Sequence, residues 1–445
     1  MQNSSSKKIK VPKRKVLIIT YYWPPSGGSG VQRWVKFAKY MHAYGWEPII
    51  YSPKNPETPE VDNSLNFDIP ENIKVLKKKI WEPHHLYKKL VGLKKENKLG
   101  SGLMKSGNEN SLLHKLAIWI RGNLFIPDSR KFWIRPSIDY LSLILKNEKI
   151  DAIISTGPPH SMHLIAMQLS KKFFIPWVAD FRDPWTNIDF INELNLSRKA
   201  WKKHHFLEKT VLNSADKILV VSNTMKTEFQ EFTKTPIEVI TNGFDTSDYR
   251  VIDYTPNSKF VLAHIGMLTS TRNPSILWEV LQELKNEHHN FAKNFTLKLI
   301  GRVDSSIYSI IAEKKIEDIV QIIDYIPHKE VTSIQQSSES LLLIINNTPN
   351  ASLLLTGKIF EYMAANRPII CITPVFGDAS RVLNDVGIGS SFLYSEKDKL
   401  KIEIINQFNK WESGSLEKPE IANIKDYSRK HLTKKLVEQL NQLDL

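Results

Sequence analysis

The chain alternates short apolar runs with segments in which apolar residues recur at helical spacing. The first run covers residues 15–20, and a loop rich in proline, glycine and serine follows it. The next segment carries one apolar face made of Val31, Trp34, Val35, Ala38 and Met41. A continuous apolar run is typical of a buried parallel strand, and the spacing after it is typical of an amphipathic helix. The pattern predicts a βαβ unit whose second strand covers residues 47–51.

The same alternation continues to residue 408. It predicts further strands over 152–155, 177–180, 217–222, 238–241, 260–265, 296–300, 320–323, 341–345 and 369–373, and helices over 160–172, 198–213, 274–288, 356–365, 378–385 and 397–408. A polar link near residues 245–258 separates two runs of this pattern. Two runs predict an α/β protein with two doubly wound domains, whose ligands bind at the carboxyl ends of the strands.

The predicted domain boundaries follow from that link. Residues 1–245 form an N-terminal Rossmann-like domain, residues 246–425 form a C-terminal one, and residues 426–445 form a final amphipathic helix that packs on the N-terminal domain. Residues 77–135 depart from the alternation, with basic residues interleaved among aromatic ones. We interpret them as a basic insertion in the first domain.

Composition and charge narrow the class of protein. The chain is 41% hydrophobic and 24% charged, as in ordinary globular proteins, and its one cysteine, Cys371, excludes an internal disulfide and a cysteine-rich zinc site. Residues 1–150 carry 27 Lys and Arg against 12 Asp and Glu, so the net charge of +14 originates there. Such a block indicates either contact with an anionic surface or a solvated lysine-rich face. No apolar stretch approaches the ~20 residues needed to span a bilayer, and the polar, basic amino terminus does not resemble an export signal.

The loop after the first strand is a candidate phosphate site. It leads into a helix amino terminus, where free backbone N–H groups and the helix dipole favour anions, and Gly28 and Gly30 allow close approach. A dinucleotide fingerprint is not met, because Arg33 stands at the third glycine and no acid ends the second strand. We therefore do not expect NAD to bind here, and a loop that only turns the chain is the alternative.

Two further clusters end predicted strands of the first domain. The segment VADFRDPW places Asp180, Arg182 and Asp183 at the end of a buried strand, where they form either a structural ion pair or part of an active site. His160 lies in another strand-to-helix loop, where functional residues concentrate. His163 lies one helical turn away, but no acid or cysteine completes a metal site.

The second domain carries a basic cluster of its own. Arg272 occupies a loop between a strand and a helix, and a guanidinium can pair bidentately with phosphate. Thr356 is placed to cap a helix, and Lys358 and Glu361 share one of its faces. A surface Lys–Glu pair is the plain alternative. The parts together predict an anion site with a carboxylate that can accept hydrogen bonds from sugar hydroxyls.

Five segments together resemble the retaining GT-B glycosyltransferases, specifically glycosyltransferase family 4 of bacterial surface-polysaccharide pathways. They are YYWPPSGGSGVQR, VADFRDPW, ITNGFD, GMLTSTRNP and TGKIFEYMAANRPII, and the resemblance covers nearly the whole chain. It implies two Rossmann-like domains facing a cleft, a nucleotide-sugar donor held mainly by the second and an acceptor held mainly by the first. It also implies that the C-terminal helix returns to the first domain.

The resemblance assigns roles to particular residues. Gly28 and Gly30 resemble the glycines near the donor diphosphate, Arg272 the phosphate-binding arginine, Glu361 the ribose-binding glutamate, and His160 the histidine near the reacting sugar. With these, we expect Thr356, Gly357 and Lys358 to bind the donor and Asp183 to be catalytic. Asp180 and Arg182 either contact the acceptor or support the loop.

The chain departs from the family at one conspicuous position. Leu353 stands where the family's first motif glutamate would be, and no acid occurs from residue 340 to residue 360. Met267 and Asn273 also stand where many members carry basic residues. These departures bear on sugar recognition and on the stabilisation of the leaving group.

The expected reaction is transfer of a hexose from a nucleoside-diphosphate sugar, a UDP-sugar in the first place, with retention of configuration. Because no Asp-x-Asp occurs, leaving-phosphate charge would fall to Arg272, Lys358 and backbone N–H groups, so we expect no metal and no cofactor. Two alternatives remain open: a GT-B protein that binds or epimerises a sugar nucleotide without transferring it, and a nucleic-acid-binding protein.

The basic first third predicts a peripheral membrane surface. After Lys74, eight more lysines up to residue 98 lie among aromatic and aliphatic residues: Lys77, Lys78, Lys79, Lys88, Lys89, Lys94, Lys95 and Lys98 surround Trp81, Leu86, Tyr87, Leu90, Val91 and Leu93. Basic residues near an anionic leaflet contribute about 1 kcal/mol each. We therefore expect a cytoplasmic enzyme, peripheral on the inner face of the cytoplasmic membrane, with a lipid-linked or glycan acceptor and no nucleic-acid partner.

Overall fold

The computed structural model describes residues 14–58, 61–82, 112–188, 191–249, 256–324, 326, 328–420 and 422–443. Two parallel β-sheets organise them. The strands of the first sheet are β1 Arg14–Ile19, β2 Trp46–Pro53, β3 Lys74–Lys78, β4 Ala152–Gly157, β5 Trp177–Phe181, β6 Lys217–Val220 and β7 Ile237–Val239. Their spatial order is β3-β2-β1-β4-β5-β6-β7. Since the order reverses direction at β1, the loops after β1 and β4 diverge there, which is where doubly wound sheets bind ligands.

The helices of this sheet connect and cover its strands. They are α1 Ser29–Met41, α2 Leu112–Leu124, α3 Lys131–Leu145, α4 Ser161–Phe173, α5 Arg198–Ser214 and α6 Asn223–Gln230. The apolar run of β1 is buried from Val16 to Ile19, and Val31, Trp34 and Val35 of α1 pack in the same core. The predicted first βαβ unit is therefore present.

The second sheet repeats the architecture with six strands. They are β8 Phe260–Ile265, β9 Phe295–Ile300, β10 Val320–Ile323, β11 Ser340–Ile344, β12 Ile369–Thr373 and β13 Gly389–Leu393, in the order β10-β9-β8-β11-β12-β13. The helices are α7 Ser275–Glu287, α8 His289–Asn294, α9 Ser305–Lys314, α10 His328–Ser337, α11 Gly357–Ala365, α12 Asp378–Val386 and α13 Lys397–Glu412. Two apolar cores cover the two faces of this sheet.

The chain divides into two compact units. The first unit contains Met1–Val221, Met225–Thr241 and Arg429–Leu445, and the second contains Ser222–Thr224 and Asn242–Ser428. The last helix, α14 Arg429–Asn441, belongs to the first unit, where Leu432, Leu436 and Leu440 are buried in the core that α1 shares. The predicted fold class, α/β with two Rossmann-like units, is confirmed.

The structure adds elements that the apolar pattern did not predict, within and beyond residues 77–135, and the short helix α8 is one of them. Strand β3 has the sequence KVLKK at the edge of the sheet, so its lysines hide the apolar alternation. Helix α3 contains Pro136, a residue that normally ends a helix, and begins at Lys131. Helices α2, α6, α9 and α10 and strand β13 were likewise not predicted, while residues 83–111 of this segment lie outside the described part. Within the described residues no helix combines the length and apolar character needed to cross a bilayer.

Candidate functional site

The glycine loop of the first unit leads into α1 through Gly28. Gly28 is the residue before the helix, with φ 101°, in the left-handed region that favours glycine. A Cβ added there would meet no atom within 4 Å. The backbone at Gly28 is thus open on the side from which a ligand would approach the helix amino terminus.

At Gly30, unlike Gly28, another side chain fills the space beside the glycine. A Cβ added to Gly30 would lie 1.7 Å from Nη1 of Arg182, so the guanidinium lies directly against the first turn of α1. Arg182 Nε donates to the Gly157 carbonyl at 3.2 Å, and its Nη2 donates to the Pro158 carbonyl. Gly30 is therefore required by the packing of Arg182, whatever else it contacts.

Asp180, which ends β5, is fully buried in an ion pair with Arg33. Arg33 Nη2 donates to Oδ1 at 2.8 Å, while Trp34 Nε1 and Thr156 Oγ1 donate to Oδ2 at 2.9 and 2.8 Å. Burial opposes ionisation, but the Arg33 charge and these hydrogen bonds outweigh it and hold the pKa of the carboxyl below its ordinary value. The arginine at the third glycine position thus has a structural partner, and Asp180 supports the loop.

Asp183 differs from Asp180 in exposure. It lies on the surface beyond the strand end, close enough to raise the pKa of Arg182 by its charge. Burial is nevertheless the largest influence on that guanidinium and lowers its pKa. Of the two acids in VADFRDPW, only Asp183 is accessible to a substrate.

His160 is the residue before α4 and is buried against aromatic rings. Its imidazole stacks on the Trp185 indole with 4.5 Å between ring centres and 5° between ring planes. Its Nδ1 is buried and has no hydrogen-bond partner in the described residues. Burial, followed by the neighbouring His163, lowers its pKa well below the ordinary value, so the ring is neutral at pH 7. A neutral imidazole has one donor and one acceptor nitrogen, and either can form a hydrogen bond with a sugar hydroxyl.

His163 is a core residue. It stacks on Phe181 at 4.4 Å, its Nδ1 lies 2.8 Å from Ser155 Oγ, and burial lowers its pKa to about 3. The one-turn spacing of the two histidines therefore reflects packing against β4 and β5.

Arg272 of the second unit lies in a short 3₁₀ turn, Ser270–Arg272, after β8. Its Nε donates to Asn346 Oδ1, and its Nη1 donates to the Met267 carbonyl at 3.1 Å. These two acceptors come from the loops after β11 and β8. They fix the guanidinium at the carboxyl end of the second sheet.

Lys358, in the first turn of α11, lies against the backbone of Gly266. A Cβ added to Gly266 would be 2.3 Å from the Lys358 Nζ, and φ of +120° also favours glycine there. No acceptor within the part of the chain that the structure describes bonds to this half-buried ammonium. Burial, together with the Arg272 charge, lowers the pKa of Lys358 to about 7, although Glu361 opposes the shift.

The amino terminus of α11 completes this cluster. Thr356 occupies the capping position, as expected, but its side chain makes no capping hydrogen bond, and Oγ1 is buried with no partner among the described residues. Gly357 is the first residue of the helix. The backbone N–H groups of this turn are thus not capped by the Thr356 hydroxyl, which makes the turn suited to an anion.

Glu361 lies one helical turn after Gly357 and is half-buried. Its Oε2 accepts a long hydrogen bond of 3.5 Å from Gln335 Nε2, and its backbone carbonyl accepts from Tyr249 at 3.2 Å. Leu353, at the position of the missing glutamate, is buried in the turn Ala351–Leu353. An apolar residue packs there, so no carboxylate faces the ligand from that turn.

Four residues near these sites were not predicted. Arg33 had been noted only as a break in a fingerprint, and Trp185 and His204 pack beside His160 although they are distant from it in sequence. His264, in β8, is buried beside Lys358; its Nδ1 lies 2.9 Å from the Leu342 carbonyl, and burial followed by the Lys358 charge lowers its pKa well below the ordinary value. In the sequence, only the position of His264 near the end of a predicted strand could have indicated that it lies near the site.

Comparison with known proteins gives a family match over part of the chain and a fold over nearly all of it. Residues 106–248 match Glycosyltransferase Family 4. No curated protein matches the sequence. A glycosyltransferase from Rickettsia africae is 15% identical, with a TM-score of 0.61, over 97% of this chain and 98% of the other. The chain is a glycosyltransferase of the GT-B type.

Two further solved structures share the fold of this glycosyltransferase. Anabaena Alr3699/HepE, determined in complex with UDP-glucose, is 13% identical with a TM-score of 0.58 over 96% of this chain and 100% of the other. WaaG, a glycosyltransferase involved in lipopolysaccharide biosynthesis, is 12% identical with a TM-score of 0.53 over 97% and 96%. The family match covers His160 and the VADFRDPW segment, whereas Arg272 and α11 lie beyond it.

Proposed function

We propose that this glycosyltransferase transfers a hexose from a nucleoside-diphosphate sugar to a lipid-linked or polysaccharide acceptor in cell-surface glycan biosynthesis. The observation that carries the proposal is the cationic cluster of the second unit. Lys358 has no bonded acceptor among the described residues, and Arg272 is fixed beside it. A buried charge of this kind is costly unless an anion compensates it, and a diphosphate would do so.

The donor is proposed to bind with its diphosphate at the start of α11. Arg272 and Lys358 would pair with phosphate oxygens, while Thr356 Oγ1 and the N–H groups at Gly357 would donate to them. Glu361, one turn further along, would accept the ribose hydroxyls. UDP is our proposed nucleotide, supported by the UDP-glucose in the complex of Anabaena HepE, which has the same fold.

Charge compensation sets the proposed chemistry. When the glycosidic bond breaks, negative charge grows on the leaving phosphate, and Arg272 and Lys358 would stabilise it with no need for a metal or another cofactor. Asp180 cannot serve as a nucleophile, because Arg33, Trp34 and Thr156 occupy its oxygens. We therefore propose same-face attack by the acceptor, assisted by the departing phosphate, with retention of configuration.

The acceptor is proposed to bind on the first unit, at His160 and the accessible Asp183. Gly28 and Gly30 of the same unit are proposed to lie near the donor diphosphate, and Asp180 and Arg182 are proposed to hold the loops in place. Removing His160 or Asp183 should therefore lower transfer while nucleotide binding persists.

A membrane surface on the first unit is part of the proposal. Of the predicted basic segment, the structure describes Lys77, Lys78, Lys79 and Trp81, whereas Lys88, Lys89, Lys94, Lys95 and Lys98 and their apolar neighbours lie outside the described residues. Trp81 is 57% exposed and meets the exposed Phe132 edge to face at 4.9 Å. Basic residues beside exposed aromatic rings are suited to an anionic lipid surface, at the inner face of the cytoplasmic membrane.

A nucleotide screen tests the donor proposal. We expect UDP or another nucleoside diphosphate to raise the free energy of unfolding by about 2.7 kcal/mol at 100 times its dissociation constant. Transfer in the presence of an acceptor, and none in its absence, separates a transferase from a protein that only binds or epimerises the donor. If no nucleoside diphosphate binds, the donor proposal is wrong.

Vesicle sedimentation tests the membrane proposal. A variant with serine at all eight lysines should bind anionic vesicles less than the wild type at low salt, because the positive charges that attract anionic lipid are lost. Duplex DNA at the same salt is the control for a nucleic-acid function. Equal binding of both proteins to vesicles would contradict the proposal.

A further inference from the structure

Trp185, the last residue of VADFRDPW, contacts the candidate sugar-binding histidine directly. Its side chain is 2% exposed, and its indole plane lies within 5° of the His160 imidazole plane at 4.5 Å. A near-parallel stack of this kind covers one face of the smaller ring and leaves only in-plane directions for a hydrogen bond. The orientation of Trp185 therefore limits where Nδ1 of His160 can point.

Trp185 is in turn held by a histidine on another helix. Its Nε1 donates to His204 Nδ1 at 3.1 Å, and His204, in α5, is 4% exposed. The two rings meet at 80°, so the bond runs along the indole edge and leaves its face free for His160. Because Nδ1 of His204 accepts the hydrogen bond from the indole N–H, the neutral imidazole carries its own proton on Nε2.

The opposite side of His160 is bounded by a glycine and a second histidine. A Cβ added to Gly157 would be 3.0 Å from His160 Nδ1 and 2.6 Å from His163 Nε2. The imidazole centres of His160 and His163 are 5.7 Å apart. A side chain at residue 157 would therefore press on both imidazoles, so Gly157 helps to hold the position of the His160 ring.

We propose that Trp185 and His204 are positioning residues for His160, which hold its imidazole plane and so fix the directions in which the ring can bond to a sugar hydroxyl. The inference rests on the proposed role of His160 near the reacting sugar. It assigns a function to the aromatic end of VADFRDPW, which the donor site does not use. Nδ1 of His160 and Nε2 of His163 are both buried without a partner among the described residues, so the stack on Trp185, and not a hydrogen bond to Nδ1, orients the His160 ring.

Graded variants test the proposal. Trp185→Leu removes the stack and should lower kcat about 10- to 100-fold, because small misplacements of a reacting group have effects of that size, while the Kd for a nucleoside diphosphate stays unchanged. Trp185→Phe keeps a ring without the indole N–H and should lie between Trp185→Leu and the wild type. His204→Ala should resemble Trp185→Phe, and His204→Asn, whose amide oxygen can accept the indole proton, should recover most of the loss.

Trp46→Phe is the matched control. Trp46 is also buried and also donates its indole proton, to Asn441 Oδ1 at 3.0 Å, but it begins β2 and does not contact His160. It should change the unfolding midpoint without changing kcat. A kcat loss in Trp46→Phe equal to that in Trp185→Phe would overturn the proposal, since it would show a general effect of destabilisation.

Histidine-selective NMR gives a readout independent of turnover. The His160 ring signal, identified by its loss in His160→Gln, should be shifted upfield by the indole ring current in the wild type and in Trp46→Phe, and should return downfield in Trp185→Leu. If His160→Gln loses transfer but Trp185→Leu keeps full kcat, the positioning proposal alone is overturned. If His160→Gln transfers as well as the wild type, the proposed role of His160 fails and the positioning role fails with it.

Discussion

In both units a basic side chain lies against a glycine at the carboxyl end of a parallel sheet, yet the two cations differ in their partners. Arg182 covers Gly30 and donates to two backbone carbonyls, those of Gly157 and Pro158. Lys358 covers Gly266 and bonds to no acceptor among the described residues. The first cation is bonded within the protein, whereas the second is the one proposed to bind the donor diphosphate.

The bonding partners of a basic side chain distinguish a structural role from a proposed binding role better than its residue type does. Arg33 and Asp180 form a closed pair beside Arg182, so three of the charges at this end of the first sheet are engaged by the protein itself. Arg272 and Lys358 have like charge and lie close enough for each to influence the other. Like charges held together are stable only when something else lowers their energy, and a diphosphate fits that need.

The largest effect on stability should come from breaking the buried Arg33–Asp180 ion pair of the first unit. Arg33→Ala leaves Asp180 buried without its counter-charge and should lower the free energy of unfolding by about 3–5 kcal/mol. Arg135→Ala, which removes an exposed pair with Asp139, should change it by less than about 0.5 kcal/mol. Urea unfolding of both variants gives the comparison, and equal stabilities would show that the buried pair is not structural.

Removing a cation from the second unit should act on turnover instead. Arg272→Ala should lower kcat by about 10²- to 10³-fold, because we propose that its charge stabilises the leaving phosphate in the transition state. Its unfolding midpoint should stay near that of the wild type, whereas Arg182→Ala should lose stability. Glu361→Ala should mainly raise the KM for the donor. Steady-state kinetics and thermal unfolding together decide, and full activity of Arg272→Ala would remove the leaving-group assignment.

A double-mutant cycle tests why Gly30 is glycine. Gly30→Ala should destabilise the wild type by about 1–3 kcal/mol, since its Cβ meets the Arg182 guanidinium and a displaced arginine leaves carbonyls unpaired. In an Arg182→Ala background the same change should stabilise by up to about 1 kcal/mol, because alanine is the better helix former. Chemical unfolding of the four proteins measures both values. The same sign in both backgrounds would mean that Arg182 is not the reason for the glycine.

The smallest effect should appear in the pH dependence of donor binding. The pKa of Lys358 is lowered to about 7, and a bound diphosphate raises it, so binding takes up a proton above pH 7. The Kd for a nucleoside diphosphate should therefore rise by up to tenfold, about 1.4 kcal/mol, per pH unit above 7. Lys358→Arg, which does not titrate there, should bind with little change over this range. Isothermal titration calorimetry at several pH values measures it, and parallel profiles would contradict the assignment.

Much of this architecture follows from local pattern, and the exceptions have physical reasons. The runs that became β1 and β8 were recognisable because buried parallel strands need apolar residues on both faces. Strand β3 was not, because an edge strand tolerates the lysines of KVLKK. The parts of the site that lie in strand-to-helix loops, such as His160 and Arg272, were identified by position. The Arg33–Asp180 pair and the Trp185–His204 contact join residues 147 and 19 positions apart, and only the tertiary fold brings them together.

The assignment of α14 to the first unit determines how the chain is threaded. The polypeptide leaves the first unit near residue 241 and returns to it at Arg429. The second unit is therefore inserted into the sequence of the first, and two chain connections join them. Asn441, at the end of α14, accepts from Trp46 and contacts Arg14, so the helix is anchored beside the first strand. A single proteolytic nick in the link after residue 241 would therefore leave the pieces associated, as in a nicked but undissociated enzyme. Their separation would require α14 to be pulled out of a buried core, and a second cut before Arg429 would be needed to release the second unit as a free fragment.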